Sequence, residues 1–95
     1  MDIIAQFLQI IIRIIKGQES VIGPLAWNEA MKVNGLNINQ SHSSVSFTGD
    51  AKDIINRLVA QYEKLFGKVS NEVCKEAVRD LVAELPAEEV PSSLK

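Results

Sequence analysis

The sequence predicts a mainly α (α+β) domain in which two helix-glycine-helix pairs flank a short β-hairpin, in the order α-α-β-β-α-α. Three observations carry this expectation. Polar residues in the opening segment recur every three or four positions, the apolar spacing changes to strict alternation between residues 36 and 48, and helical spacing returns after Asp50.

In the opening segment Asp2, Gln6, Gln9, Arg13 and Lys16 fall on one narrow helical stripe, leaving isoleucines, Phe7 and Leu8 around most of the circumference. Such a helix has to be covered on several sides. Isoleucine propensity would also suit a strand, but a period of two would place Gln6 on the same face as Ile4 and Leu8. Gly17 to Ser20 is expected to break this helix, while Gly23 suits a helix end and Pro24 the first position of the next. The second helix is expected to run to about Val33, with Leu25, Ala26, Ala30 and Val33 inward and Asn28, Glu29 and Lys32 outward.

Leu36 and Ile38, then Val45 and Phe47, alternate with polar neighbours, which predicts two short strands joined by a polar loop over Gln40 to Ser43. A lone hairpin is marginal in water, so its apolar side should pack on the helices. Asp50 is placed to cap a third helix and Asp53 to sit in its positive first turn. That helix offers Ile54, Ile55, Leu58, Val59, Tyr62, Leu65 and Phe66 on one face, with the Tyr62 hydroxyl expected at solvent, and Gly67 ends it. A fourth helix places Val69, Val73, Cys74, Ala77, Val78, Leu81 and Val82 inward. One domain over residues 1–85 and a flexible tail over 86–95, beginning at Pro86, complete the expected organisation.

Sliding the chain against itself by 44 residues sets residues 11–33 on 55–77 and Gly23 on Gly67. Ile11, Arg13, Glu19 and Gly23 are matched by identical residues and the apolar register is kept. Two readings stand: an internal duplication with an approximate twofold, or the ordinary likeness of two amphipathic αα-hairpins. On the first reading solvent-facing Asn56 replaces Ile12 and Gln61 replaces Gly17, so the N-terminal half is the more apolar and the place to look for a partner.

Ninety-five residues with 46% apolar content can bury a modest core without disulfides or metal. A net charge of −2 gives no general attraction to nucleic acid or anionic lipid. Lys64, Lys68, Lys75 and Arg79 are interleaved with Glu63, Glu72, Glu76 and Asp80, as on a solvated helix face and not a phosphate-binding one. The opening apolar run lacks the flanks of a signal peptide and is shorter than a membrane span. With Cys74 as the single cysteine, a reducing, cytoplasmic setting is expected.

The candidate chemistry is sparse. His42 among serines lacks an orienting third group, Cys74 falls on an apolar helix face, and Cys74 with His42 are too few ligands for structural zinc. Asp50 and Asp53 are explained by capping, and the five glycines are dispersed, without a nucleotide fingerprint. No catalytic, cofactor-binding or metal-binding residue is assigned, and the expectation is a non-enzymatic interaction or oligomerisation module. Its expected interface is Ile4, Phe7, Leu8, Ile11, Ile12 and Ile15 of the first helix, with Trp27 and Met31, and its expected partner is itself or another protein. Trp27 can also be read as closing the core edge. Two alternatives remain at this point: a peripheral membrane helix with Arg13 and Lys16 near head groups, and an apolar ligand pocket between the helix pairs.

Overall fold

The computed structural model describes residues 3–39 and 44–95. Its elements are α1 (Ile3–Ile22), α2 (Leu25–Ala30), β1 (Leu36–Ile38), β2 (Val45–Phe47), α3 (Ala51–Phe66) and α4 (Val69–Val82), followed by two short 3₁₀ turns at Ala87–Glu89 and Ser92–Leu94. The order is α-α-β-β-α-α, as the spacing predicts. The Gln40 to Ser43 loop, and His42 with it, lies outside the described residues. Among the described residues no helix is long and apolar enough to cross a membrane.

α1 runs through the middle of the molecule, against α2, α3, α4 and β2, which is how its wide apolar circumference is covered. Ile10, Ile11, Ile14 and Ile15 are fully enclosed, together with Ile54, Ile55, Leu58 and Tyr62 of α3 and Cys74 and Val78 of α4. Burial of this kind contributes about 1.5–3 kcal/mol for each large aliphatic side chain, so these isoleucines are the main source of stability.

The expected break at Gly17 to Ser20 does not occur; α1 continues to Ile22. These polar residues mark a helix crossing. A Cβ on Gly17 would stand 3.0 Å from Ala77 Cβ, so the missing side chain is what lets α4 approach. Gln18 enters the core, and its amide donates to Ser70 O at 3.0 Å and to Cys74 Sγ at 3.3 Å. α2 is also shorter than expected: beyond Met31 the chain tightens into bonds from Lys32 N to Glu29 O and Val33 N to Ala30 O, both 3.1 Å.

The strands pair antiparallel, Leu36 opposite Phe47 and Ile38 opposite Val45, and their apolar side packs on the core. Gly35, at φ +88°, begins the hairpin where a Cβ would stand 2.8 Å from Thr48 O. Asp50 caps α3 by accepting from Lys52 N at 3.1 Å, and Asp53 pairs with Arg57 at 3.0 Å.

The 44-residue offset extends to the hydrogen bonds. Gly23 and Gly67 take φ of +73° and +80°, and each donates to the carbonyl of a glutamate four residues back, Glu19 and Glu63, at 2.8 Å. Ala26 N to Gly23 O and Ser70 N to Gly67 O are both 3.1 Å. Each glutamate side chain then spans its own hinge: Glu19 accepts from Trp27 Nε1 at 2.9 Å, and Glu63 accepts from Asn71 Nδ2. Two long-range bonds are reciprocal under the same offset, although α4 packs on α1 far more extensively than α2 on α3. Gln18 donates to Ser70 O, while the Tyr62 hydroxyl donates to Ala26 O at 2.7 Å. Adding 44 carries Gln18 to Tyr62, and subtracting 44 carries Ser70 to Ala26. Each half thus donates to the equivalent position of the other, the pattern of an approximate twofold and not of a stacked repeat. It also corrects the expectation for Tyr62, whose hydroxyl is buried in the seam between the halves.

Residues 86–95 are docked, against the expectation of a flexible tail. Pro86 and Pro91 hold extended conformations (ψ 145° and 140°) that carry the chain back over α3. There Pro91 and Leu94 are buried, and Ser93 donates from its N–H (3.0 Å) and its hydroxyl (2.7 Å) to Asn56 Oδ1. Asn56, expected to face solvent, is the anchor of this segment. Leu94→Ala should therefore destabilise the fold by about 2 kcal/mol, read as a lower urea midpoint; an unchanged midpoint would contradict the docking.

Candidate functional site

The residues expected to form an interface divide sharply. Phe7, Ile11, Ile15 and Trp27 lie in the core, where no second molecule can reach them without unfolding the first. The physical reason is the central position of α1: its own chain covers the face that looked surplus. Trp27 closes the core edge, with its indole N–H held by Glu19. Leu8 and Ile12 are half-buried, and Ile4 and Met31 are exposed. The lipid-facing alternative loses the same atoms, because the apolar face of α1 is already enclosed.

Four further exposed aliphatic side chains sit at the two glycine hinges. Val21 is 63% exposed and Leu25 43%; Leu65 is 47% exposed and Val69 72%. The 44-residue offset carries Val21 to Leu65 and Leu25 to Val69, so each hinge has one such residue two positions before its glycine and one two positions after. Leu25, Leu65 and Val69 were expected to point inward from helical spacing. They do not, because the helix ends at each positive-φ glycine and its last and next side chains overhang the end of the bundle. Their signal was present in the sequence as VIGPL and LFGKV, two copies of one short pattern.

Val21 and Val69 share a groove of about 540 Å³ between α1 and α4. Gly17, Ser20, Val73 and Ala77 give it a floor of small or apolar side chains, and Glu72 and Glu76 stand in its wall. Glu76 is paired with Arg79 at 2.6 Å. The groove exists because Gly17 brings the two helices together at their crossing while the hinge separates them beyond it.

Three titratable side chains, Glu29, Tyr62 and Cys74, are buried between the halves. Glu29, expected outward, is buried, and hydrogen bonds from Gln61 (2.8 Å) and Lys32 (3.0 Å) hold its carboxyl below the usual range. Burial, with smaller contributions from Cys74 and Glu29, pushes the Tyr62 phenol well above its ordinary value. Burial also pushes the Cys74 thiol up, against the opposing bond from Gln18. A thiol in that state is a poor nucleophile, and Cys74 acts as a small core residue. Among the described residues no group of three or more His, Cys, Asp or Glu is placed to hold a metal ion.

Tyr62 and Cys74 fold in their protonated forms, so their contribution to stability is complete below the ordinary values near 9 for the thiol and 10 for the phenol. It is lost as pH rises above those values towards the raised folded-state ones. Tyr62 is the single tyrosine, so tyrosinate absorbance reports on it alone. That absorbance should appear together with loss of near-ultraviolet dichroism, and Tyr62→Phe should flatten the alkaline loss of stability while lowering stability at neutral pH by about 1 kcal/mol. Titration of Tyr62 at its ordinary value in a folded chain would contradict its burial. Compared with protein-family models, curated proteins and solved structures, the chain matches none.

Proposed function

We propose that this chain is a non-enzymatic interaction module that self-associates through its hinge end, in a reducing, cytoplasmic setting to which its single buried cysteine is suited. The observation that carries this reading is the placement of Val21, Leu25, Leu65 and Val69. Exposed side chains of this size are unremarkable when scattered, but these four occupy equivalent positions beside two hinges, and two of them share a groove.

Magnitudes set the strength to expect. Covering a half-exposed Val or Leu recovers on the order of 1 kcal/mol. Four together only offset the lower bound of the translational and rotational cost of association, about 4 kcal/mol. Apolar contact alone therefore gives weak association, and affinity in the micromolar range requires further complementary contacts around it. The interface differs from the one expected from sequence: Ile4, Leu8, Ile12 and Met31 keep some exposure, whereas the enclosed residues of α1 serve the fold.

Light scattering behind a sizing column, run over a range of concentrations, tests this. The wild-type mass should rise with concentration. Val21→Ser combined with Val69→Ser should stay monomeric with unchanged helical dichroism, since both side chains are mostly in solvent. A wild-type chain that remains monomeric throughout would overturn the proposal, as would a variant that associates equally well.

A further inference from the structure

The chain holds six asparagines, and Asn34 alone is followed by glycine. An asparagine can be attacked by its own backbone: the amide nitrogen of the next residue reaches the side-chain carbonyl carbon and closes a five-membered ring. A β-carbon on that next residue hinders the approach, and glycine has none. Regular structure opposes it too, because the peptide has to rotate out of the geometry of a helix or a strand. Asn28, Asn56 and Asn71 lie within α2, α3 and α4, and Asn37 within β1.

Asn34 and Gly35 are instead the two central residues of a turn, closed by Leu36 N donating to Val33 O at 3.2 Å. Asn34 is exposed, and among the described residues neither its side-chain amide nor the Gly35 N–H has a hydrogen-bond partner. The peptide between them is held at one point, where Arg57 Nη1 donates to Asn34 O at 3.4 Å. It can therefore rotate about Asn34 ψ and Gly35 φ while Val33 and Leu36 stay in place, and glycine tolerates the change of φ. That rotation carries Gly35 N towards Asn34 Cγ. The fold also requires glycine here, since φ is +88° and a Cβ would stand 2.8 Å from Thr48 O. The residue that begins the hairpin is the one that leaves Asn34 open to attack.

We infer that Asn34 is a site of spontaneous modification in the folded protein, converted through a succinimide to aspartate and isoaspartate. Hydroxide takes the proton of the Gly35 amide, and the nitrogen attacks Asn34 Cγ. The new C–N bond forms as the Cγ–Nδ2 bond breaks, and Nδ2 leaves as ammonia with a proton from water. A second water molecule opens the ring. Opening at Cγ leaves an aspartate in place of Asn34, and opening at the main-chain carbonyl routes the backbone through the side chain as isoaspartate. Either product sets a carboxylate into the depression of about 290 Å³ that Asn34 lines together with Lys32, Arg57 and Lys64. The isoaspartyl form also adds a methylene to the backbone just before Gly35 O, which accepts from Thr48 N at 2.7 Å.

Ageing the intact chain at mildly alkaline pH, followed by ion exchange and tryptic peptide mapping, tests it. An acidic form should accumulate, one charge more negative than the formal −2, with the change at position 34 of the peptide spanning 33–52. Asn37 and Asn39 lie in the same peptide and should remain largely intact when most of Asn34 is lost. Asn34→Gln should abolish the acidic form, because a glutamine has to close a six-membered ring, and should keep the wild-type melting curve, because the replaced side chain is exposed and unbonded. Loss of Asn34 no faster than that of Asn37 or Asn39 would overturn the inference, as would an acidic form that persists in the variant. So would conversion of Asn34 in urea but not in the folded chain, since the turn would then protect it.

Discussion

Each half of this chain is held together by the other. α1 crosses α4 and α3 crosses α2, and one buried side-chain donor closes each crossing, Gln18 to Ser70 O and Tyr62 to Ala26 O. A buried donor without its acceptor costs about 1–3 kcal/mol, so neither half can shift along the seam without exposing an unsatisfied amide or hydroxyl. The aliphatic core supplies most of the free energy, but it is nondirectional. These two bonds select one register for it. The remaining features are fitted around that seam: Gly17 permits the close crossing, and the positive-φ glycines turn each chain direction at the right length.

Two equivalent helix pairs in one continuous chain are free to change their surfaces separately. The interior kept the pattern, with Ile10, Ile11, Ile14 and Ile15 in one half answered by Ile54, Ile55, Leu58 and Val59 in the other. Outside, Ser20 and Asn28 are answered by Lys64 and Glu72, so equivalent surfaces became electrostatically distinct. The connection between the halves is itself asymmetric: the hairpin covers one end of the core, and the segment after Pro86 covers α3 beside Asn56.

Elements were legible where local chemistry is decisive. The two strands follow from alternation, the start of α3 from Asp50 and its end from Gly67, while Gly23 marks a helix end that belongs to α1. What could not be read depends on partners distant in sequence. Gly17 looks like a helix break because the reason for it is Ala77, and Gln18 looks like a surface residue because its acceptor is Ser70. Glu29 is in the same position with Gln61, and the closing segment with Asn56. The apolar surplus of α1 was correctly seen as needing cover on several sides, but composition does not distinguish cover by the same chain from cover by another. The hinge residues failed for a local reason: helical spacing was continued through Leu65 and Val69 to helix ends where the interior stops.

Residue-resolved amide hydrogen exchange under native conditions tests the interlocking of the halves most directly. If the seam governs the fold, the slowest amides of α1, around Ile10 to Ile15, and of α3, around Ile54 to Val59, open with the same free energy, equal to that of global unfolding. If one helix pair opens at markedly lower free energy while the other stays protected, the halves are independent units and the seam does not govern the fold.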